Sequence, residues 1–176
     1  IGGVAGMAKQ GMGQAAWMVV ALMAVGNASG RVVAGIMSDK IGRSTTLFIM
    51  LLVQALVIGS LFFISPTQVV LLVLAATLIG FNYGTNLSLF PSATKDFFGL
   101  KNFGVNYGLI FSAWGVGGFI FPRVSQMIVA ATQSPKTAYV LAAGLLVTAA
   151  AMALMTKAPA MDEEEALELV PAPEKI

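Results

Sequence analysis

The chain has 176 residues, 57% of them hydrophobic and 10% charged, with a net charge of +2. Soluble domains are about a quarter charged, so this composition excludes a compact water-soluble fold and points to an all-α, polytopic transmembrane helix bundle. Cysteine and histidine are absent, which removes disulfides, thiol chemistry and the commonest metal ligand, and no metal or cofactor is expected.

The first residue is Ile1, and no charged leader or cleavage site precedes the first apolar run, so the chain reads as a fragment of a longer protein. Residues 1–14 are rich in Gly and Met, with one charge at Lys9, and are predicted to be the end of a preceding helix and a loop. The first span is predicted at about 15–38, long enough to cross ~30 Å of hydrocarbon at ~1.5 Å per residue. A compact charged turn follows, Asp39-Lys40-Ile41-Gly42-Arg43.

From Ser44 to Thr94 there is no charge, which is room for two spans. Ser65-Pro66-Thr67-Gln68 divides the run, because proline disfavours helix at the residue before it. Spans are therefore expected at about 45–64 and 68–92, followed by a second charged turn from Lys95 to Lys101. A fourth span, about 104–131, is expected to be interrupted at Pro122-Arg123, and a fifth at about 138–156 follows the turn Gln133-Ser134-Pro135-Lys136. Residues 158–176 form an acidic tail, expected to be mobile and cytoplasmic.

Five alternating spans sort the basic residues into two groups. One side holds Lys40, Arg43, Lys95, Lys101 and Lys157; the other holds Lys9 and Lys136. The positive-inside rule makes the first side cytoplasmic, and it accounts for the basic excess without nucleic acid.

Arg31 lies inside an otherwise uncharged span. Intramembrane cations cost upward of ~2.5 kcal/mol and usually face a bundle interior or an aqueous cavity. Asn27, Arg31 and Ser38 share one helix face, a polar stripe suited to such a cavity. Two readings stand: guanidinium binding a carboxylate through paired hydrogen bonds, or a side chain snorkelling to the nearby interface. No acidic residue lies inside any span, which leaves a small anionic ligand, or a partner in a missing half, to neutralise Arg31.

On the fourth span Tyr107, Phe111, Trp114 and Gly118 recur on one face, lining a cavity or packing on a neighbouring helix. On the third, Asn82 and Asn86 share a face and Pro91 lies near the cytoplasmic end. Gly26-x-x-x-Gly30, Gly80-x-x-x-Gly84 and Gly104-x-x-x-Gly108 allow close helix approach. Arg123 is expected to snorkel to the outer interface. A membrane enzyme would need a nucleophile, an acid–base pair or a metal set, and none is supplied. A non-transporting sensor or structural protein with the acidic tail as partner site is the alternative to a transporter.

Gly35-Ile-Met-Ser38-Asp39-Lys40-Ile-Gly42-Arg43 resembles the loop signature of major facilitator superfamily transporters: Gly, three residues, Asp, a basic residue, any residue, Gly and a basic residue. Asp39 is suited to pair with basic residues or cap a helix, and Gly42 to make a tight turn. Asn27-Ala-Ser-Gly-Arg31, Asn82-Tyr-Gly-Thr-Asn86-Leu-Ser-Leu-Phe-Pro91, Lys101-Asn-Phe-Gly-Val-Asn-Tyr-Gly108 and Phe111-Ser-Ala-Trp114-Gly115 are similar to the oxalate/formate antiporter family within that superfamily. The resemblance covers residues 1 to about 157 and implies a C-terminal half, from the end of helix 7 through helix 12. It implies secondary transport of small organic anions by alternating access, with the lipid bilayer and a missing N-terminal half as partners, and with residence in a bacterial inner (plasma) membrane. It makes Arg31 the carboxylate-binding residue and Tyr83 an aromatic wall, with Asn27, Asn86 and Trp114 in the same site. Gly35, Asp39, Lys40, Gly42 and Arg43 become a cytoplasmic gate. Two departures bear on substrate: Trp114 stands where oxalate exchangers carry a lysine, and Leu87 where an aromatic is expected. Both favour monocarboxylates such as formate, lactate or pyruvate over oxalate/formate exchange.

Overall fold

A computed structural model describes residues 16–65 and 67–156. They form five helices and no strand: α1 (Ala16–Ile41), α2 (Arg43–Ser60), α3 (Val69–Phe98), α4 (Phe103–Thr132) and α5 (Lys136–Met155). All five are long and apolar enough to cross a membrane. Without water in the bilayer, helices satisfy their backbone groups internally, which is why such apolar runs take this form. The expected preceding helix and loop, 1–14, and the acidic tail, 158–176, lie outside the described residues.

The charged stretches are more helical than expected. Asp39 and Lys40 complete α1 and Arg43 opens α2, so the predicted turn contracts to a single residue, Gly42, at φ 87°. That positive φ is open to glycine and strained for most other residues. The amide of Gly42 donates to the Ser38 carbonyl at 3.0 Å, and its own carbonyl accepts from the Thr46 amide at 3.1 Å, so both helices close on it. Helix α3 likewise runs through Pro91, Lys95 and Asp96 and ends at Gly99, φ 69°. The expected interruption at Pro122-Arg123 is corrected: α4 passes unbroken to Thr132. A proline removes one donor from a long helix, and the rest of the ladder carries it across.

The bundle is built around α1, α2 and α3. Parallel helices α1 and α3 share the most extensive contact; α2 packs between the pair and α5. Two apolar clusters fill these seams. One joins Val19, Val57, Leu61, Leu72 and Ile79; the other joins Ala34, Leu47, Leu89 and Ala153 at the charged end. Among the described residues α4 touches only α3 and α5, and it has no buried residue.

The α1–α3 seam shows why small residues matter when lipid is as apolar as the helix. A Cβ on Gly26 would meet the Thr77 carbonyl oxygen, and one on Gly30 the Phe81 carbonyl oxygen. Reciprocally, Gly80 faces the Met23 carbonyl and Gly84 the Asn27 carbonyl. Backbone lies on backbone, and dispersion over the close contact replaces the absent hydrophobic force. The third glycine pair, Gly104 and Gly108, has open space around both positions.

Candidate functional site

The backbone contact of α1 and α3 sets the height of Arg31. Gly30 abuts Phe81, and the Thr85 hydroxyl donates to the Gly30 carbonyl at 3.4 Å, so Arg31 stands beside Thr85. Its side chain is exposed, and Nε donates to Asn27 Oδ1 at 3.1 Å. Helical side chains lean toward the N-terminus, and this one bends back a turn toward the middle of α1, away from the charged end. The contact with Asn27 directs the guanidinium along α1 toward the groove rather than toward Asp39 and Lys40. Among the described residues no acidic residue pairs with Arg31.

Asn27 and Arg31 line an open groove of about 620 Å³ along α1, whose far wall is Gly80 and Tyr83. Ser38, expected on the same polar stripe, is corrected: it is 3% exposed, donates to the Gly35 carbonyl and accepts from Arg43 Nη1. The periodicity is right, but this part of α1 is covered at the charged end.

Tyr83 also faces a second cleft, about 370 Å³, between α3 and α4. Asn86, Phe90, Tyr107, Phe111 and Trp114 line it. Its rings form a series: Tyr107 to Phe111 with centroids 5.6 Å apart, Phe111 to Trp114 at 5.0 Å, and Trp114 to Tyr83 at 6.5 Å, all tilted. Such separations and tilts are those at which ring edges and faces attract. Gly118, expected on this face, lies off the cleft, and Leu87 contributes to its wall.

Asn82 and Asn86 share a helix face but not a fate. Asn82 is 1% exposed and donates to the Leu78 carbonyl at 3.1 Å, whereas Asn86 reaches the cleft. The amide oxygens of Asn82, Asn86 and Gln54 are buried and accept no hydrogen bond within the described residues. Gln54 carries no sequence signal that separates it from an ordinary polar residue in a span.

At the charged end Arg43 gathers three partners. Nη1 lies 2.7 Å from Asp39 Oδ1 and also reaches Ser38 Oγ, while Nε donates to Asp96 Oδ2 at 2.8 Å. One guanidinium thus ties α1, α2 and α3 together. Asp96 was not anticipated as part of this group; it is remote in sequence, and only the extension of α3 past Pro91 brings it in. Lys40 makes no ion pair among the described residues, and Gly35 has open space where a side chain would go. Ser44 adds a clip to the end of α5, its hydroxyl donating to the Thr156 carbonyl at 2.7 Å. At the opposite end Arg123 lies over the Phe119 ring at 5.4 Å and Lys136 over Phe62 at 5.0 Å.

Comparison with known proteins places this arrangement. An MFS-type transporter of Escherichia coli K12, YhjX, is 37% identical over 98 residues, which is 56% of this chain and 24% of that protein. The MFS transporter asaE of Aspergillus flavus is 33% identical over 99 residues, 56% of this chain and 22% of that protein. The matches thus span about a quarter of these relatives, which are named as transporters and not as enzymes. The family model of the Major Facilitator Superfamily matches residues 4–175, and the chain belongs to that superfamily.

Proposed function

We propose that these residues are the C-terminal half of a secondary transporter that moves small organic anions, monocarboxylates in preference to oxalate, by alternating access. The observation that carries this reading is Arg31: an exposed guanidinium inside an apolar helix, held by Asn27 and without an acidic partner among the described residues, on a groove walled by Tyr83. A cation so placed is stabilised by an anion that visits it, and a carboxylate matches its planar fork. Substrate binds near the bilayer midplane, where this half faces an N-terminal one. Asn27 orients Arg31, and Tyr83, Asn86 and Trp114 wall the site. Trp114 in place of a second cation disfavours a dicarboxylate.

In this reading the end carrying Arg43 faces the cytoplasm of a bacterial inner membrane, and so does the C-terminus; the excess of basic residues at that end supports it. Arg43, Asp39 and Asp96 hold three helix ends in one arrangement and are separated when the cytoplasmic gate moves. The midregions of these spans hold no Asp, Glu or His, so a proton carrier, where transport is proton-coupled, lies elsewhere.

The test is uptake of labelled monocarboxylate by the full-length transporter in proteoliposomes. Arg31→Gln removes a charge-assisted pair and lowers uptake by about 100-fold, with normal insertion. Unchanged uptake by an inserted Arg31→Gln protein overturns the anion site. Saturable binding without flux in the wild type would instead favour a sensor.

A further inference from the structure

The two cavities meet at Tyr83, and they differ in chemistry. The α1 groove has the cation. The α3–α4 cleft has no charged residue and is walled by five rings, Tyr83, Phe90, Tyr107, Phe111 and Trp114, with Asn86 among them. We infer that the preferred substrate is a monocarboxylate with an aromatic tail, its carboxylate on Arg31 and its ring in the cleft beside Trp114. The inference rests on the reading of Arg31 as the carboxylate site.

Three observations converge on it. First, the levels agree. The contact of Gly30 with Phe81 and of Thr85 with the Gly30 carbonyl puts Arg31 level with Thr85. On α3 the cleft extends from Tyr83 to Phe90. The guanidinium bends back toward Asn27, which faces Gly84, so the cation stands near the level of Tyr83, the residue that lines both cavities.

Second, the cleft is large for a two- or three-carbon acid. Its volume of about 370 Å³ is within the ~300–1,000 Å³ of clefts that take drug-sized ligands. A formate or lactate held on Arg31 leaves this apolar space unused.

Third, the rings are not occupied with packing. Trp114 is 54% exposed and Phe111 42%, and α4 buries no residue at all. Aromatic surface beside a cation site is chemically matched to an amphipathic acid, because a ligand ring extends the Phe111–Trp114–Tyr83 series. With no second cation on the cleft, a second carboxylate on the tail is rejected.

The experiment measures competition by acetate and phenylacetate against labelled phenylacetate in the full-length transporter, in proteoliposomes. In the wild type phenylacetate binds at least about 10-fold more tightly than acetate, as burial and stacking of a ring predict. Trp114→Leu lowers that ratio about 10-fold, and Phe111→Ala lowers it in the same direction, which guards against one variant that fails to fold. Arg31→Gln weakens both acids. Equal affinity for the two acids, with both lost in Arg31→Gln, overturns the aromatic tail and leaves the carboxylate site standing. A preference for phenylacetate that neither Trp114→Leu nor Phe111→Ala reduces places the ring elsewhere and also overturns it. Affinity for both acids undiminished by Arg31→Gln overturns the underlying site and this inference together.

Discussion

Helices α1 and α4 both flank α3, and they do so in opposite ways. Along α1 the backbones touch: Gly26, Gly30, Gly80 and Gly84 each face a carbonyl of the other helix, and a Thr85 hydroxyl bonds across the seam. Along α4 the approach is through ring edges, chiefly Tyr83 to Trp114, with a cleft left between. The first arrangement suits a fixed unit, because a backbone contact has no rotamer with which to adjust. The second suits a surface that closes on something else, since aromatic side chains on an unburied helix can turn without disturbing a core. The proposed carboxylate site would use both: a cation at a fixed height and an opposite wall able to yield.

The contrast can be broken most directly at the glycines. Gly84→Leu drives a side chain into the Asn27 backbone and costs about 3 kcal/mol, the upper end of overpacking penalties, or prevents assembly altogether. Gly144→Leu on α5, where nothing lies within 4 Å, changes stability by less than about 0.5 kcal/mol. Detergent-denaturation midpoints of the full-length protein compare the two, and equal midpoints would show that the seam is not close-packed.

A smaller effect is expected from removing apolar volume. Leu89 is fully buried, and Leu89→Ala costs about 1–2 kcal/mol, the cavity part of a soluble-core penalty without the transfer from water. Phe111→Ala removes a larger side chain from α4 yet shifts the same midpoint by less than about 0.5 kcal/mol. A loss at Phe111 as large as at Leu89 would mean that α4 is part of the core.

A smaller loss than at Leu89 is expected at the charged end. Asp96→Asn removes one of the two carboxylates on Arg43, and because both partners are partly in solvent it costs about 0.5–1 kcal/mol. Its coupling to Asp39→Asn, measured as a double-mutant cycle, is non-zero because the two acids share one guanidinium. Strict additivity would show that they act independently.

Much of this was legible in the sequence. Uncharged runs bounded by charged turns demand membrane helices, and five helices of that kind are present. Periodicity brought Tyr107, Phe111 and Trp114 to one face of α4. It failed at Ser38, where the helix face is continuous but its surroundings are not: Asn27 meets a groove and Ser38 meets Arg43. Three glycine pairs had identical spacing, and only contact with a partner backbone separates Gly26–Gly30 and Gly80–Gly84 from Gly104–Gly108. Asp96 was missed because the charged stretch from Lys95 to Lys101 was read as a turn; α3 instead continues to Phe98, and its last turns carry the carboxylate to Arg43.

The parallel pairing of α1 with α3 also sets a timetable for synthesis. Helix α2 lies between them in the chain, so Gly26 and Gly30 are synthesised before Gly80 and Gly84. At ~5–20 residues per second the first glycine face waits a few seconds for its partner. Until α3 arrives it is a small-residue surface without its partner, open to any other helix with a matching face. A chain stalled between Gly30 and Gly80 is therefore the form most prone to pair with the wrong neighbour.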